Sequence, residues 1–185
     1  MDWLFKTDLF VPDDYRKTIF DIDYDGLYAN GIRLLLVDLD NTLIPYDQSE
    51  PDQRIIKLFR DLKSYGFEVV IISNNHKKRV RRFAESLDVH FLAGAKKPLK
   101  CGFRKITRSY PQYDKRTICV IGDQFMTDVL GAKRMGFMAI VVDAIKRKTE
   151  KWFTKLNRKL EKRVLLRMKK QNNAIYRKLN LEEKR

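Results

Sequence analysis

Asp38 and Asp40 follow directly after the apolar run Leu34–Val37. A carboxylate can attack phosphorus as a nucleophile once the charge of the phosphoryl group is neutralised. A second acid two residues later can protonate the leaving oxygen and then deprotonate the hydrolytic water. The spacing is therefore compatible with phosphate ester hydrolysis through a covalent intermediate. On its own the motif also fits an ordinary turn at the end of a strand.

Further polar residues follow three other apolar runs: Ser73 with Asn74, then Lys97, then Asp123 with Asp128. Clustered carboxylates repel one another and require a cation. All the strong candidate ligands are oxygen donors, and no His or Cys joins them, which favours Mg²⁺ over zinc or copper and leaves Mn²⁺ open. A lysine and a hydroxyl beside the metal suit phosphate oxygens. Lys96 and Lys100 compete with Lys97, which is chosen because Pro98 stiffens the chain beside it.

The elements that position these residues alternate between short apolar strands and amphipathic helices. Strands are predicted at Leu34–Val37, Val69–Ile72, Phe91–Ala93, Thr117–Ile121 and Met138–Val142. Helices are predicted at Asp52–Tyr65, Lys77–Leu87, Leu99–Ser109 and Thr127–Met135. This alternation predicts an α/β fold, a doubly wound parallel sheet with helices on both faces. Ligands bind such sheets beyond the carboxyl ends of the strands, where the candidate residues fall.

Taken together, these motifs resemble those of a known superfamily. In chain order, Asp38-x-Asp40-x-Thr42, Ser73, Lys97 and Gly122-Asp123-x₄-Asp128 resemble the four motifs of the haloacid dehalogenase superfamily. The local sequences are similar to the YqeG family of subclass IIIA, and that family is similar to phosphatidylglycerophosphate phosphatases. The resemblance runs from about residue 21 to about residue 165 and implies a Rossmann-like core.

The resemblance implies the catalytic and metal-binding roles of three carboxylates. Asp38 would be the nucleophile and a metal ligand. Asp40 would be the general acid and base, and its backbone carbonyl would contact the metal. Asp123 would be the second carboxylate ligand of Mg²⁺.

The resemblance likewise implies a phosphate-binding set of Thr42, Ser73, Asn74 and Lys97. Thr42 would also help to position Asp40. Ser73 and the following amide would hold the transferring phosphoryl group. Lys97 would neutralise phosphate charge and restrain Asp38. Asp128 would orient Lys97 or a metal-bound water.

The intervals between the motifs are short. About 30 residues separate Thr42 from Ser73 and about 23 separate Ser73 from Lys97, and predicted core elements fill both intervals. We therefore expect no cap domain of the kind that this superfamily often carries. An open site suits a substrate whose bulk stays outside the enzyme: a lipid headgroup in a bilayer, a protein or a nucleic acid. Closure by a neighbouring subunit is the alternative.

Positive charge is concentrated at the carboxyl end. The chain has 185 residues and a formal net charge of +15, of which residues 146–185 carry +12. We expect a phosphatase core over residues 1–145, including the N-terminal segment, and a basic amphipathic helical tail over 146–185. The tail could lie on an anionic membrane, bind RNA, or pack on the core. Its predicted apolar stripe repeats every four residues: Trp152, Leu156, Leu160, Val164 and Met168.

Composition and the apolar runs bear on whether the chain spans a membrane, is secreted or stays in a reducing compartment. Hydrophobic residues make up 44% of the chain, enough for a core, but no uncharged apolar run approaches the ~20 residues of a membrane-spanning helix. No secretory signal is recognisable. Cys101 and Cys119 are interpreted as free thiols in a reducing compartment. The N-terminal apolar residues could contact a membrane or cover an edge of the core: Trp3, Leu4, Phe5, Leu9 and Phe10.

These observations lead to one hypothesis and two alternatives. We expect a Mg²⁺-dependent phosphomonoester hydrolase that is cytoplasmic and peripheral at the inner face of a membrane. The resemblance, the open site and the basic tail point to phosphatidylglycerophosphate as the substrate and phosphatidylglycerol as the product. The alternatives are a phosphatase for a small soluble ester, and an RNA- or ribosome-associated protein with a secondary phosphatase site.

Overall fold

The computed structural model describes residues 7–150, 152–171, 173–182 and 184, in which six parallel strands form one sheet. The strands are β1 Asp14–Arg16, β2 Leu34–Val37, β3 Glu68–Ile72, β4 His90–Leu92, β5 Ile118–Gly122 and β6 Met138–Val142. Their order across the sheet is β1-β6-β5-β2-β3-β4. The chain moves outward from β2 in one direction and returns to β5 on the other side. This reversal confirms the doubly wound α/β fold.

Helices connect the strands and cover both faces of the sheet. They are α1 Tyr24–Ala29, α2 Gln53–Tyr65, α3 Lys77–Ser86, α4 Lys100–Ser109, α5 Leu130–Met135, α6 Trp152–Gln171 and α7 Asn173–Lys178. The predicted strands and helices are confirmed, with ends that move by a few residues at most. Asp52, for example, caps α2 by accepting a hydrogen bond from the backbone N–H of Ile55, and Gly66 ends the helix in the left-handed conformation.

Two elements were not predicted. The edge strand β1 pairs with β6, and α1 precedes β2. Strand β1 contains Asp14 and Arg16 around the buried Tyr15, so it lacks the apolar run by which the other strands were recognised. Helix α1 is only six residues long and contains Gly26, a weak helix former. The predicted helix at 127–135 also begins earlier, as a π-helical turn at Phe125–Val129.

The core lies on both faces of the sheet. Leu35 and Val37 of β2 pack with α2 and α3, whereas Leu34 and Leu36 pack with α4 and α5 on the opposite face. All four β2 side chains are fully buried. A strand buried on both faces reads as a continuous apolar run, which is why β2 could be recognised from the sequence.

The prediction that the apolar residues of the tail form one continuous buried face of α6 is wrong. Trp152 and Leu156 are 77% and 51% exposed, whereas Val164 and Met168 are buried in the core cluster on the α4 and α5 face. The buried side of the first half of α6 is instead polar and charged: Thr154, Arg158 and Glu161. Helix α6 therefore docks on the core, and ion pairs rather than apolar spacing set its orientation. The boundary at residue 145 stays a prediction.

The N-terminal segment is described from Thr7 onward. Phe10 is buried against the α4 and α5 face, and Leu9 is half-buried, so both cover part of the core. Trp3, Leu4 and Phe5 lie outside the described residues. Within the described ranges, no helix is both long enough and apolar enough to cross a membrane.

Met168→Ala tests the docking of α6. The Met168 side chain is 1% exposed, so truncating it is expected to lower the free energy of unfolding by about 2–5 kcal/mol. Leu166→Ala on the same helix is the control, because Leu166 is 68% exposed and its truncation should change stability by less than about 0.5 kcal/mol. Urea unfolding measures both. Equal effects of the two variants would contradict the docked position of α6.

Candidate active site

The register of the sheet brings the candidate residues together. Val37 of β2 pairs with Ile71 of β3 and with Ile121 of β5. The chain therefore leaves these strands at nearly the same level. Asp38 and Asp123 follow at one edge, at the point where the strand order reverses.

Lys97 bridges two buried carboxylates. Its Nζ lies 2.6 Å from Asp38 Oδ1 and 2.6 Å from Asp128 Oδ1. Burial raises the pKa of Asp38, and the Lys97 ammonium opposes that rise. Burial lowers the pKa of Lys97, but Asp128 and Asp38 outweigh burial and raise it, so Lys97 stays charged. The rival Lys96 is exposed, and only Lys97 of the two contacts these carboxylates.

The close approach of Asp128 requires a glycine at position 122. A Cβ on Gly122 would lie 2.3 Å from Asp128 Cγ, which is closer than atoms can pack. Asp128 Oδ2 in turn accepts hydrogen bonds from the Gln124 backbone N–H and from Thr127. The Gly122-Asp123 step therefore leaves room for the carboxylate that holds Lys97.

Asp40 is held by a cation that sequence analysis did not identify. Arg79 of α3 donates from Nε to Asp40 Oδ1 at 2.8 Å, and it also binds the carbonyls of Pro45 and Gln48. Asn75 donates to Asp40 Oδ2 at 3.0 Å, and Ser73 Oγ lies 3.4 Å from the same oxygen. Arg79, Asn75 and Ser73 together fix the orientation of the Asp40 carboxylate.

Thr42 contacts Asp38 rather than Asp40, and the Asn74 side chain contacts the loop that carries Lys97. The Thr42 hydroxyl donates to Asp38 Oδ2 at 3.3 Å and makes no hydrogen bond to Asp40 in the described structure. The Asn74 side chain pairs with the backbone of Lys97 in both directions, at 2.7 and 2.9 Å. Asn74 therefore fixes the loop that carries Lys97, because its amide oxygen and nitrogen are both engaged there.

Asn41 connects the first motif to the segment that precedes α6. Its φ of 66° is left-handed, a conformation that Asn tolerates better than most residues. From this position its side chain donates to Glu150 at 3.1 Å, and its backbone carbonyl accepts from Ile145. The residue that directly follows Asp40 thus contacts both ends of the 145–150 segment.

The residues near Asp123 fit a divalent cation. One oxygen from each of Asp38, Asp123 and Asp128 lies within 4.8 Å of the others. Asp123 is fully buried, and among the described residues its Oδ1 has no hydrogen-bond partner. A buried carboxylate oxygen without a partner is costly unless a cation satisfies it. Clustered carboxylates with an available oxygen are the ligands that Mg²⁺ prefers.

Several of the predicted site residues line a cavity of about 590 Å³. Asp38, Asp40, Ser73 and Lys97 lie in its wall. Core elements fill the intervals between the motifs within residues 42–97, and no inserted domain occurs there. The wall nevertheless includes two residues of α6 in the predicted tail, Phe153 and Asn157.

Arg158 of α6 also reaches the site, where its Nη2 contacts Asp123 Oδ2. Sequence reasoning missed four residues that contact the site or its supports: Arg79, Asn75, Arg158 and Glu150. Arg79 is one of several basic residues in α3, and nothing in the sequence distinguishes it from Arg81 or Arg82. Arg158 is one of 16 basic residues in the 146–185 segment. Asn75 could have been identified from the sequence, because it lies two residues after Ser73 at the end of a predicted strand.

Comparison with known proteins gives a family match and several fold neighbours. The family model for haloacid dehalogenase-like hydrolases matches residues 2–136. The chain is 35% identical over 164 residues to "Probable phosphatase YqeG" of Bacillus subtilis (strain 168), which covers 89% of this chain and 94% of that protein. This result agrees with the similarity of the local motif sequences to the YqeG family.

Two crystal structures share the fold. An uncharacterized protein from Listeria monocytogenes serotype 4b is 19% identical with a TM-score of 0.50, covering 63% of this chain and 84% of that chain. A hypothetical protein from Xanthomonas campestris is 16% identical with a TM-score of 0.50, covering 76% and 79%. At these identities the likeness concerns the fold alone.

Lys97→Met tests the charge bridge. Removing the ammonium leaves Asp38 and Asp128 buried without their cation, so the metal-free protein should lose about 3–5 kcal/mol of stability. The loss should be larger at pH 7 than at pH 5, because a carboxyl whose pKa is raised by folding takes up a proton as the pH falls and the penalty then shrinks.

Lys96→Met is the matched control for this substitution, because Lys96 is adjacent and exposed. Its effect on stability should stay within about 0.5 kcal/mol. Chemical unfolding of both variants at the two pH values measures the difference. A Lys97→Met protein as stable as Lys96→Met would contradict the bridge.

Proposed function

We propose, from the premise that this chain belongs to the haloacid dehalogenase-like hydrolases, that it hydrolyses phosphate monoesters through an acyl phosphate on Asp38. The observation that carries the proposal is the pairing of Asp38 with Lys97, which lies in the wall of the same cavity as Asp40. In this proposal a nucleophile, a phosphate-binding cation and a proton donor share one site.

The first step transfers the phosphoryl group to the enzyme. An Asp38 carboxylate oxygen forms a bond to phosphorus as the bond from phosphorus to the leaving oxygen breaks. The leaving oxygen takes its proton from Asp40.

The second step releases phosphate. Asp40, now ionised, takes a proton from water as the water oxygen attacks phosphorus. The bond between phosphorus and Asp38 breaks, which frees inorganic phosphate and restores the Asp38 carboxylate. The Arg79 ion pair holds the Asp40 side chain in place for this step.

Mg²⁺ is the cation that we propose for the site. Asp38 and Asp123 would hold it through their side chains, with the backbone carbonyl of Asp40 as a further ligand, while Asp128 holds Lys97. When bound, it would supply positive charge that offsets the repulsion between the phosphate and the carboxylates. Lys97 adds a second positive charge that offsets the same repulsion.

The substrate that we propose is phosphatidylglycerophosphate, giving phosphatidylglycerol at a membrane surface. Support comes from the rim of the cavity, where Phe153 belongs to an exposed apolar patch with Trp152 and Leu156. Exposed basic residues, Lys155 and Lys159, lie on the same helix. Aromatic and basic side chains together are typical of surfaces that meet anionic headgroups. An exposed apolar patch favours a bilayer over RNA, whose contacts are mainly to phosphates.

Asp38→Asn tests the nucleophile. The variant should lose phosphate release by at least about 10³-fold, because the amide cannot form the acyl phosphate. The assay follows phosphate released from phosphatidylglycerophosphate in mixed micelles with Mg²⁺, and in parallel from an aryl phosphate. Asp47→Asn is the matched control, since Asp47 is an exposed carboxylate paired with Lys146, and it should keep its activity.

The two substrates separate the chemistry from the lipid assignment. Asp38-dependent release from both, far faster from the lipid, supports the whole proposal. Equal or faster turnover of a soluble ester would contradict the lipid substrate and leave the phosphatase intact. Undiminished release by Asp38→Asn would contradict the mechanism.

A variant carrying both Trp152→Ala and Phe153→Ala tests the membrane surface. It should co-sediment several-fold less than wild type with anionic phospholipid vesicles, because the exposed aromatic area is lost. Tyr65→Ala is the control, since Tyr65 is also exposed but ends α2 just before β3 begins, whereas the cavity lies beyond the carboxyl ends of the strands. Equal sedimentation of both variants would contradict this surface, and salt-sensitive RNA binding without vesicle binding would favour the RNA alternative.

A further inference from the structure

Helix α6 places a guanidinium against the metal-site carboxylate of Asp123. Arg158 Nη2 contacts Asp123 Oδ2, and Nη1 donates to the Asp123 backbone carbonyl at 2.9 Å. Arg158 is only 7% exposed, although it lies in the most basic segment of the chain. A buried cation with two contacts to one residue fixes that residue more firmly than a surface ion pair does.

Two glutamates fix the guanidinium itself. Glu150 accepts from Nε at 3.1 Å and from Nη2 at 2.9 Å, and Glu161 accepts from Nη1 at 2.9 Å. With the two contacts to Asp123, these bonds engage all five N–H donors of Arg158. The planar group therefore has one orientation in the described structure. The two glutamates also offset its charge, so that it adds little repulsion toward a cation at Asp123.

The same helix fixes the loop that follows β5. Glu161 accepts from the Phe125 backbone N–H at 2.7 Å, so it holds both Arg158 and the start of the π-helical turn. Asn157 lies 3.4 Å from Gln124 Oε1, and Lys184 Nζ lies 3.1 Å from the Asp123 carbonyl. Residues of the predicted tail thus hold the segment that follows β5 in place.

These contacts determine which oxygen of Asp123 remains available. Arg158 occupies Oδ2, whereas the buried Oδ1 has no partner among the described residues. A ligand carboxylate works best when a second residue fixes its rotation, because the metal then meets an oriented oxygen.

We infer that Arg158 is a positioning residue of the metal site, which acts by holding Asp123 so that Oδ1 is presented to the cation. The inference rests on the proposed function, since the cation site belongs to it. It assigns part of the tail to the active site. Arg158 lies beyond residues 2–136, the part of the chain that the family model matches.

Arg158→Lys tests this assignment, because lysine keeps the charge but lacks the planar fork. Binding of Mn²⁺, used as a probe, is followed by the loss of the free-ion signal in electron paramagnetic resonance. The variant should bind Mn²⁺ about 10–100-fold more weakly than wild type. Arg163→Lys is the matched control, an exposed arginine on the same helix, and should bind as wild type does.

Thermal melting of the metal-free proteins separates positioning from stability. A purely structural role predicts a lower melting temperature for Arg158→Lys with Mn²⁺ affinity unchanged in the folded protein, and that result would overturn the inference. If Arg158→Lys does not fold, Glu150→Gln decides the question. This near-isosteric change weakens the anchor of Arg158 and should lower Mn²⁺ affinity several-fold, so wild-type affinity in that variant would overturn the inference.

Failure of this inference is distinguishable from failure of the proposed function. Wild-type protein that binds Mn²⁺, with Arg158→Lys binding equally well, overturns only the role of Arg158. Wild-type protein that binds no Mn²⁺ overturns the metal site and this inference with it. Because the readout is direct metal binding, neither result depends on knowing the substrate.

Discussion

Carboxylates that converge at one edge of a buried sheet must be compensated, because each loses most of its hydration and repels the others. Asp38 and Asp128 share Lys97, Asp40 is paired with Arg79, and Asp123 is paired with Arg158. These cations come from different parts of the chain: the loop after β4, helix α3, and helix α6. Charge compensation therefore ties distant segments to the site, and it explains why the tail docks with a charged face.

Charge compensation is incomplete at one oxygen of Asp123, and that oxygen is available to bind a cation. Lys97 and Arg79 engage oxygens of Asp38 and Asp40, but Asp123 Oδ1 keeps no partner among the described residues. A site that was fully neutralised would have nothing to offer a divalent cation. The arrangement instead leaves one buried oxygen of Asp123 available, in a residue whose carboxylate lies within 4.8 Å of that of Asp38.

The fold could be predicted because β2, β3, β5 and β6 are short apolar runs buried on both faces, each followed by polar residues. Edge strand β1 lacks that pattern, since Asp14 and Arg16 surround its one buried side chain. The cations Arg79 and Arg158 could not be found, because the identity of a basic residue does not say which turn of a helix faces a carboxylate. The tail was misread for a related reason: apolar spacing predicts the buried face of a helix only when apolar contacts determine it.

The central claim is that Asp38 carries the phosphoryl group during turnover. The direct measurement is to quench the enzyme with acid in the presence of substrate and Mg²⁺, reduce it with borohydride, and map the peptides by mass spectrometry. An acyl phosphate is reduced to an alcohol, whereas a free carboxylate is not. The account predicts homoserine at position 38, dependent on substrate. Reduction at Asp40 or Asp123 instead, or no reduced residue during active turnover, would contradict it.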